Sequence, residues 1–132
     1  MIGLDTNVIV RYLTHDDRAQ SAAASRMFRT LTQEEPGFLS LIVVAELVWV
    51  LESCYSFEKA EVVRVLEILL RSKELIVERA EIVWQALRKF ATGNADFADF
   101  LIERCGHTAG CHHAFTFDQK AAGAAGMRLL KL

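Results

Sequence analysis

The stretch Ile2-Gly3-Leu4-Asp5-Thr6-Asn7 is a short apolar segment that stops on an aspartate and leads straight into a helical stretch, 7–13. The same arrangement returns later, where His113-Ala114-Phe115-Thr116-Phe117 reads as a strand stopping on Asp118, with a short helix from Gln119. Between them the chain alternates. Residues 18–31 read as a helix with Asp16 or Asp17 as N-cap, and its spaced apolar positions include Ala23, Met27, Phe28 and Leu31. Glu34-Glu35-Pro36-Gly37 is a turn cluster, and Phe38-Leu39-Ser40 is a brief strand. The apolar run 41–52 suits strand or helix by composition, and its length favours a buried helix. Helices are expected over 58–70 and 82–90, and over 96–104 after the break at Gly93-Asn94; strands are expected over 75–77 and 128–130. Such alternation predicts an α/β fold, a three-layer α/β/α arrangement with a mainly parallel central sheet of four to five short strands. Functional crevices in these sheets lie outside the carboxyl ends of the strands, where Asp5 and Asp118 fall.

Composition sets the outer limits. A chain of 132 residues with 52% hydrophobic residues is one soluble globular domain in expectation, spanning 1–132, with a single proline and no linker-like stretch. Its net charge of −2 creates no global field for a polyanion, so any phosphate contact needs locally placed Arg or Lys. The most apolar run, 39–51, is broken by Glu46 and is too short to cross a bilayer. Cys54, Cys105 and Cys111 are odd in number and lack CxxC spacing, and the start shows no secretory pattern. A cytoplasmic protein with reduced thiols is expected, without membrane association.

Carboxylates carry the chemical signal. Asp5 and Asp118 each read as an ordinary helix N-cap when taken singly, but two strand-terminal aspartates in one small sheet would converge on one crevice. Glu46 interrupts Leu41-Ile42-Val43-Val44-Ala45-Glu46-Leu47-Val48-Trp49-Val50-Leu51, where no other polar residue marks a solvent face and no basic residue is near. A buried, unpaired carboxylate is costly or takes up a proton, so a carboxylate facing a metal is expected there, against a single exposed Glu. Asp96-Phe97-Ala98-Asp99 opens a helix, with Asp96 as N-cap and Asp99 in the first turn. Clustered carboxylates repel one another unless a cation sits among them. Oxygen-only donors suit Mg²⁺, with Mn²⁺ as a substitute.

The order and spacing of Asp5-Thr6-Asn7, Glu46, Asp99-Phe100-Leu101-Ile102 and Thr116-Phe117-Asp118 resembles the PIN-domain nucleases, and among them the VapC-type toxins of toxin–antitoxin pairs. The resemblance implies a metal-dependent endoribonuclease hydrolysing RNA phosphodiester bonds, with Asp5, Glu46, Asp99 and Asp118 as the catalytic acidic set. Asp96 joins them as an auxiliary metal ligand, the choice between Asp96 and Asp99 as direct ligand staying open, and Thr6, Asn7 and Thr116 line the site. It further implies a homodimer and a cognate antitoxin protein. Arg11, in the helix after Asp5, is the preferred phosphate contact, ahead of Arg104 and Lys120.

Other patterns are weaker. Cys105, His107, Cys111, His112 and His113 fit no standard zinc spacing, no nucleophile elbow surrounds Ser40, and no phosphate-binding glycine loop occurs. Trp49 and Trp84 read as core or dimer contacts. Two readings compete with a nuclease. A magnesium-dependent phosphatase of the haloacid type lacks its second aspartate after Asp5-Thr6-Asn7, and a non-catalytic RNA- or protein-binding module would keep the fold without cutting.

Overall fold

In the computed structural model, which describes Met1 to Leu132, helices and strands alternate from end to end. The order is β1 (Ile2–Gly3), α1 (Thr6–Thr14), α2 (Arg18–Thr30), β2 (Gly37–Leu39), α3 (Leu41–Tyr55), α4 (Lys59–Arg71), β3 (Leu75–Val77), α5 (Ala80–Thr92), α6 (Phe97–Thr108), β4 (Phe115–Thr116), α7 (Gln119–Ala124) and β5 (Arg128–Leu129). The chain is α/β, and every strand pairing is parallel. Five short strands form, in a three-stranded sheet ordered β1-β2-β3 and a two-stranded sheet of β4 and β5. The residues gather into two compact units, Met1–Glu78 and Arg79–Leu132.

In the first unit β2 is the central strand, pairing Gly37 with Ile2 on one side and Leu75 on the other. Gly37 is bare for a packing reason. A Cβ there would lie 2.8 Å from Leu4 Cδ1 and 3.0 Å from methyls of Leu31 and Leu75, so three leucines close directly on the backbone. Ile9 and Val10 of α1, Leu39 of β2, Val44, Leu47 and Leu51 of α3, and Val62 and Leu66 of α4 are fully buried. Each large aliphatic side chain removed from water contributes about 1.5–3 kcal/mol.

The buried positions of α3 are Val44, Leu47, Val48 and Leu51, the spacing of one helical face. The opposite face is in solvent although its residues are apolar: Ile42 is 79% exposed and Trp49 63%. The helix expected to be buried all round is therefore amphipathic by position and not by residue type. Of the two readings of Trp49, core or dimer contact, this exposure removes the core. Helices α1 and α3 both end on non-glycine residues in the left-handed region, His15 and Ser56, each at φ 56°.

In the second unit α5 packs on α6 through Ile82, Val83, Ala86, Leu87 and Phe90 against Phe97, Phe100 and Leu101. Phe90 and Phe97 meet edge to face, centroids 5.7 Å apart. Gly93 makes the turn between them, where a Cβ would sit 2.5 Å from Phe100 Cζ and 2.8 Å from the Lys89 carbonyl oxygen. The remaining elements form a small β–α–β unit, β4-α7-β5, with Ala121, Ala125 and Met127 buried beneath it.

Candidate active site

In the first unit, Asp5 follows β1 and takes the extended backbone of an N-cap, its Oδ1 accepting the Thr6 N–H at 2.8 Å. Thr6 begins α1 and is 3% exposed. A buried hydroxyl needs a partner, and Thr6 finds one across the fold by donating from Oγ1 to Glu46 Oε1 on α3. Thr6 thus binds one acidic residue through its backbone and a second through its side chain. Glu46 itself is exposed. The sequence reasoning that Glu46 is a buried carboxylate needing a counter-charge is corrected: it lies on the solvent face of α3 between Ile42 and Trp49, and the surrounding apolar letters hid that face.

In the second unit, Asp96 and Asp99 form a reciprocal capping box at the start of α6, with the Asp96 N–H donating to Asp99 Oδ2 at 3.3 Å. Burial raises the Asp99 carboxyl above its usual range, and the negative charges of Asp96 and Asp118 push the same way against that hydrogen bond. The charge of Asp118, nineteen positions further along the sequence, therefore reaches Asp99. Asp118 caps α7, its Oδ1 accepting from Lys120 N at 2.7 Å and Ala121 N at 3.1 Å. Thr116 Oγ1 accepts the Asp118 N–H at 3.0 Å and so fixes the backbone that carries this carboxylate.

The basic candidates fare differently. Arg11 is bound within the protein, Nε to Gln20 at 2.7 Å and Nη1 to the Tyr55 hydroxyl at 2.9 Å and Asp16 at 3.2 Å. The Tyr55 hydroxyl donates onward to Asp16 Oδ2 at 2.5 Å. Arg11 thus cross-links α1, α2, the turn between them and the end of α3. Arg104 is similarly engaged, holding Glu103 through Nε at 2.7 Å and Nη2 at 3.0 Å, and it keeps that carboxyl low. Lys120 is exposed. Asn7 is exposed beside a cavity of about 370 Å³ between α1 and α2, lined also by Val8, Gln20, Ala24 and Met27.

No three His, Cys, Asp or Glu side chains close on a single ion position. The donor chemistry nevertheless fits a hard cation. Asp5, Asp99, Asp118 and Glu46 each fasten one oxygen to the protein and leave the other, Oδ2, Oδ1, Oδ2 and Oε2 respectively, without a hydrogen bond. Magnesium asks for one or two such oxygens and keeps waters for the rest.

Parallel βα connections ending on capped aspartates, with an acidic residue on α3, define an α/β domain that carries carboxylates at its helix starts. The PIN domain family profile matches residues 2–126, and the chain belongs to that family. The PIN domain is generally a nuclease fold; its nucleases act on RNA and usually use divalent metal ions. No curated protein matches the chain. No helix is long and apolar enough to cross a membrane.

Proposed function

We propose that this protein is a Mg²⁺-dependent endoribonuclease, one domain over 1–132, with Asp5, Glu46, Asp99 and Asp118 as its acidic set and Asp96 as auxiliary. The observation that carries the reading is the Thr6 bridge. A buried hydroxyl is used to orient a solvent-facing glutamate beside an N-cap aspartate, an arrangement that packing does not require of either carboxylate. The raised Asp99 carboxyl, facing Asp96 and Asp118, supports it as a place where positive charge is welcome.

Asp5, Glu46, Asp99 and Asp118 would hold the Mg²⁺, or Mn²⁺ in its place. Such an ion, when bound, lowers the pKa of water and offsets charge on the scissile phosphate and leaving oxygen. The chain's own groups do the positioning. Helix N–H groups fasten one oxygen of Asp5 and of Asp118, and Thr6 fastens one of Glu46, so little rotamer freedom remains to be lost on loading. Thr116 holds the Asp118 backbone, and Asn7 adds an exposed amide next to the Asp5 cap. In-line attack by water forms a P–O bond, breaks the bond to O3′ and transfers a proton to it, leaving a 5′-phosphate and a 3′-hydroxyl. No ribose 2′-hydroxyl takes part.

The same reading makes the protein the toxin of a cytoplasmic toxin–antitoxin pair, a homodimer bound by a cognate antitoxin. Ile42 and Trp49 on the outer face of α3 supply exposed apolar area for a protein contact. A labelled RNA pool incubated with Mg²⁺, with EDTA, and with Glu46→Gln tests the chemistry. Cleavage requiring both metal and Glu46 is expected. RNA retained but never cut, or phosphomonoester turnover instead, would replace the nuclease reading. Growth arrest on expression, relieved by the product of an adjacent short open reading frame, tests the toxin role.

A further inference from the structure

Two phenylalanines in the second unit stand in solvent, Phe115 at 56% exposure and Phe117 at 66%, on either side of half-buried Thr116. Phe115 lies on β4 and Phe117 in the bend that directly follows it, one residue past the end of the strand. His113 extends the row, its ring meeting Phe115 edge-on with centroids 4.8 Å apart. Phe117 is joined directly to Asp118. Single exposed phenyl groups are ordinary, but a row of rings ending on a candidate catalytic carboxylate is not accounted for by the fold.

The charge around the row is specific. From His107 onward the chain carries Lys120, Arg128 and Lys131 against Asp118 alone, within a protein of net charge −2. Arg128 is the register partner of Phe115 on β5, so the two side chains share a sheet face. All three basic residues are exposed. Aromatic faces next to cations are the combination that binds single-stranded nucleic acid, bases stacking on rings while phosphates meet the charges. A second copy of this acidic chain is a poorer fit to a locally positive face.

We propose that Phe115 and Phe117 form a stacking platform for two successive unpaired bases of a single-stranded RNA, with Arg128 on the adjoining phosphate. The inference rests on the ribonuclease reading and adds base- and phosphate-contacting residues to it. Unpaired bases offer the open faces that such rings stack on, whereas bases paired within a duplex do not. The platform passes the phosphate after the second base to the Asp118 end of β4.

Binding of a fluorescent 12-mer oligouridylate to the full chain in EDTA separates this inference from the cleavage reading, because no turnover is needed. Phe115→Leu and Phe117→Leu are each expected to weaken binding about 10-fold while leaving the melting temperature in place, since both rings are exposed. Phe117→Trp restores binding, and Arg128→Gln flattens the salt dependence by about one ion. Leucine variants that bind like the parent, a parent that binds duplex as tightly as single strand, or no RNA binding at all would each overturn the platform. A change of oligomeric state in the leucine variants without a change in RNA affinity would assign the face to a second copy. Tight phenylalanine-dependent binding without cleavage under Mg²⁺ would leave the platform standing and remove the nuclease.

Discussion

Replacing Thr6 by valine tests the link between the two acidic residues of the first unit while leaving almost everything else intact. Valine keeps the branched shape and the backbone N–H that Asp5 accepts, and it removes only the donor to Glu46. A hydrogen bond to a charged group is worth about 1.5–3 kcal/mol when neither partner can reach water. Here Glu46 is exposed and regains water, so the loss falls nearer 1 kcal/mol. The added methyl in a site 3% exposed returns about 0.8 kcal/mol. The net stability change is under about 1 kcal/mol, a melting shift of no more than about 4 °C for a chain of this size. Catalysis responds differently, because Glu46 loses the contact that orients it. A fall in kcat/KM of about 10- to 100-fold is expected, with Thr6→Ser close to the parent, read by initial rates of RNA cleavage in Mg²⁺ beside thermal melts of the same preparations. Parent-like cleavage by Thr6→Val would refute the argument, as would a valine variant that fails only because it unfolds.

Gly93→Ala should cost about 2–3 kcal/mol in chemical denaturation, because its Cβ meets a buried ring at 2.5 Å and a backbone carbonyl at 2.8 Å. Gly3→Ala, with nothing within 4 Å, is the neutral control. The hydrogen bond from Tyr55 is the main cause holding the Asp16 carboxyl low, with Thr14 and Arg11 adding to it. A depressed carboxyl stabilises the fold above its unfolded value and loses that contribution as pH falls through the folded one. Tyr55→Phe should therefore melt below the parent at about pH 7, with the gap closing as the pH falls below the ordinary carboxylate range, and a pH-independent gap would contradict this. Asp99 has the opposite sign: its raised carboxyl favours folding while protonated and loses that as pH rises through the raised value. Asp99→Asn, which can still accept from the Asp96 N–H, should raise the melting temperature of the metal-free protein near neutral pH and blunt the further rise that Mg²⁺ gives the parent. A lower metal-free melting point would make Asp99 structural.

Elements were legible where period and punctuation agree. The Asp17 cap, the turn at 34–37 and the break at Gly93 mark α2, β2 and α6 to within a few residues. Cap and candidate ligand are compatible roles at Asp5 and Asp118, since both aspartates are helix caps that keep a second oxygen free. Glu46 was singled out for a reason that fails. Its solvent face is built from Ile42 and Trp49, and apolar residues left in water do not show in a hydrophobicity pattern. Arg11 illustrates a different limit. Gln20, Asp16 and Tyr55 lie nine, five and forty-four positions away, so only the tertiary fold tells a bound guanidinium from a free one. The exposed row at Phe115 and Phe117 was hidden likewise, because an apolar strand in an α/β pattern is expected to be covered.

That Asp5 and Asp118 initiate helices changes what a mutational scan of this protein reports. Alanine at either position deletes a terminus-stabilising acceptor worth about 0.5–2 kcal/mol together with a candidate ligand, so an inactive alanine variant mixes two defects. Asparagine caps a helix about as well as aspartate and carries no charge. The asparagine–alanine difference at each of these positions isolates helix initiation, and the aspartate–asparagine difference isolates charge, so a three-letter series measures both jobs of one side chain separately.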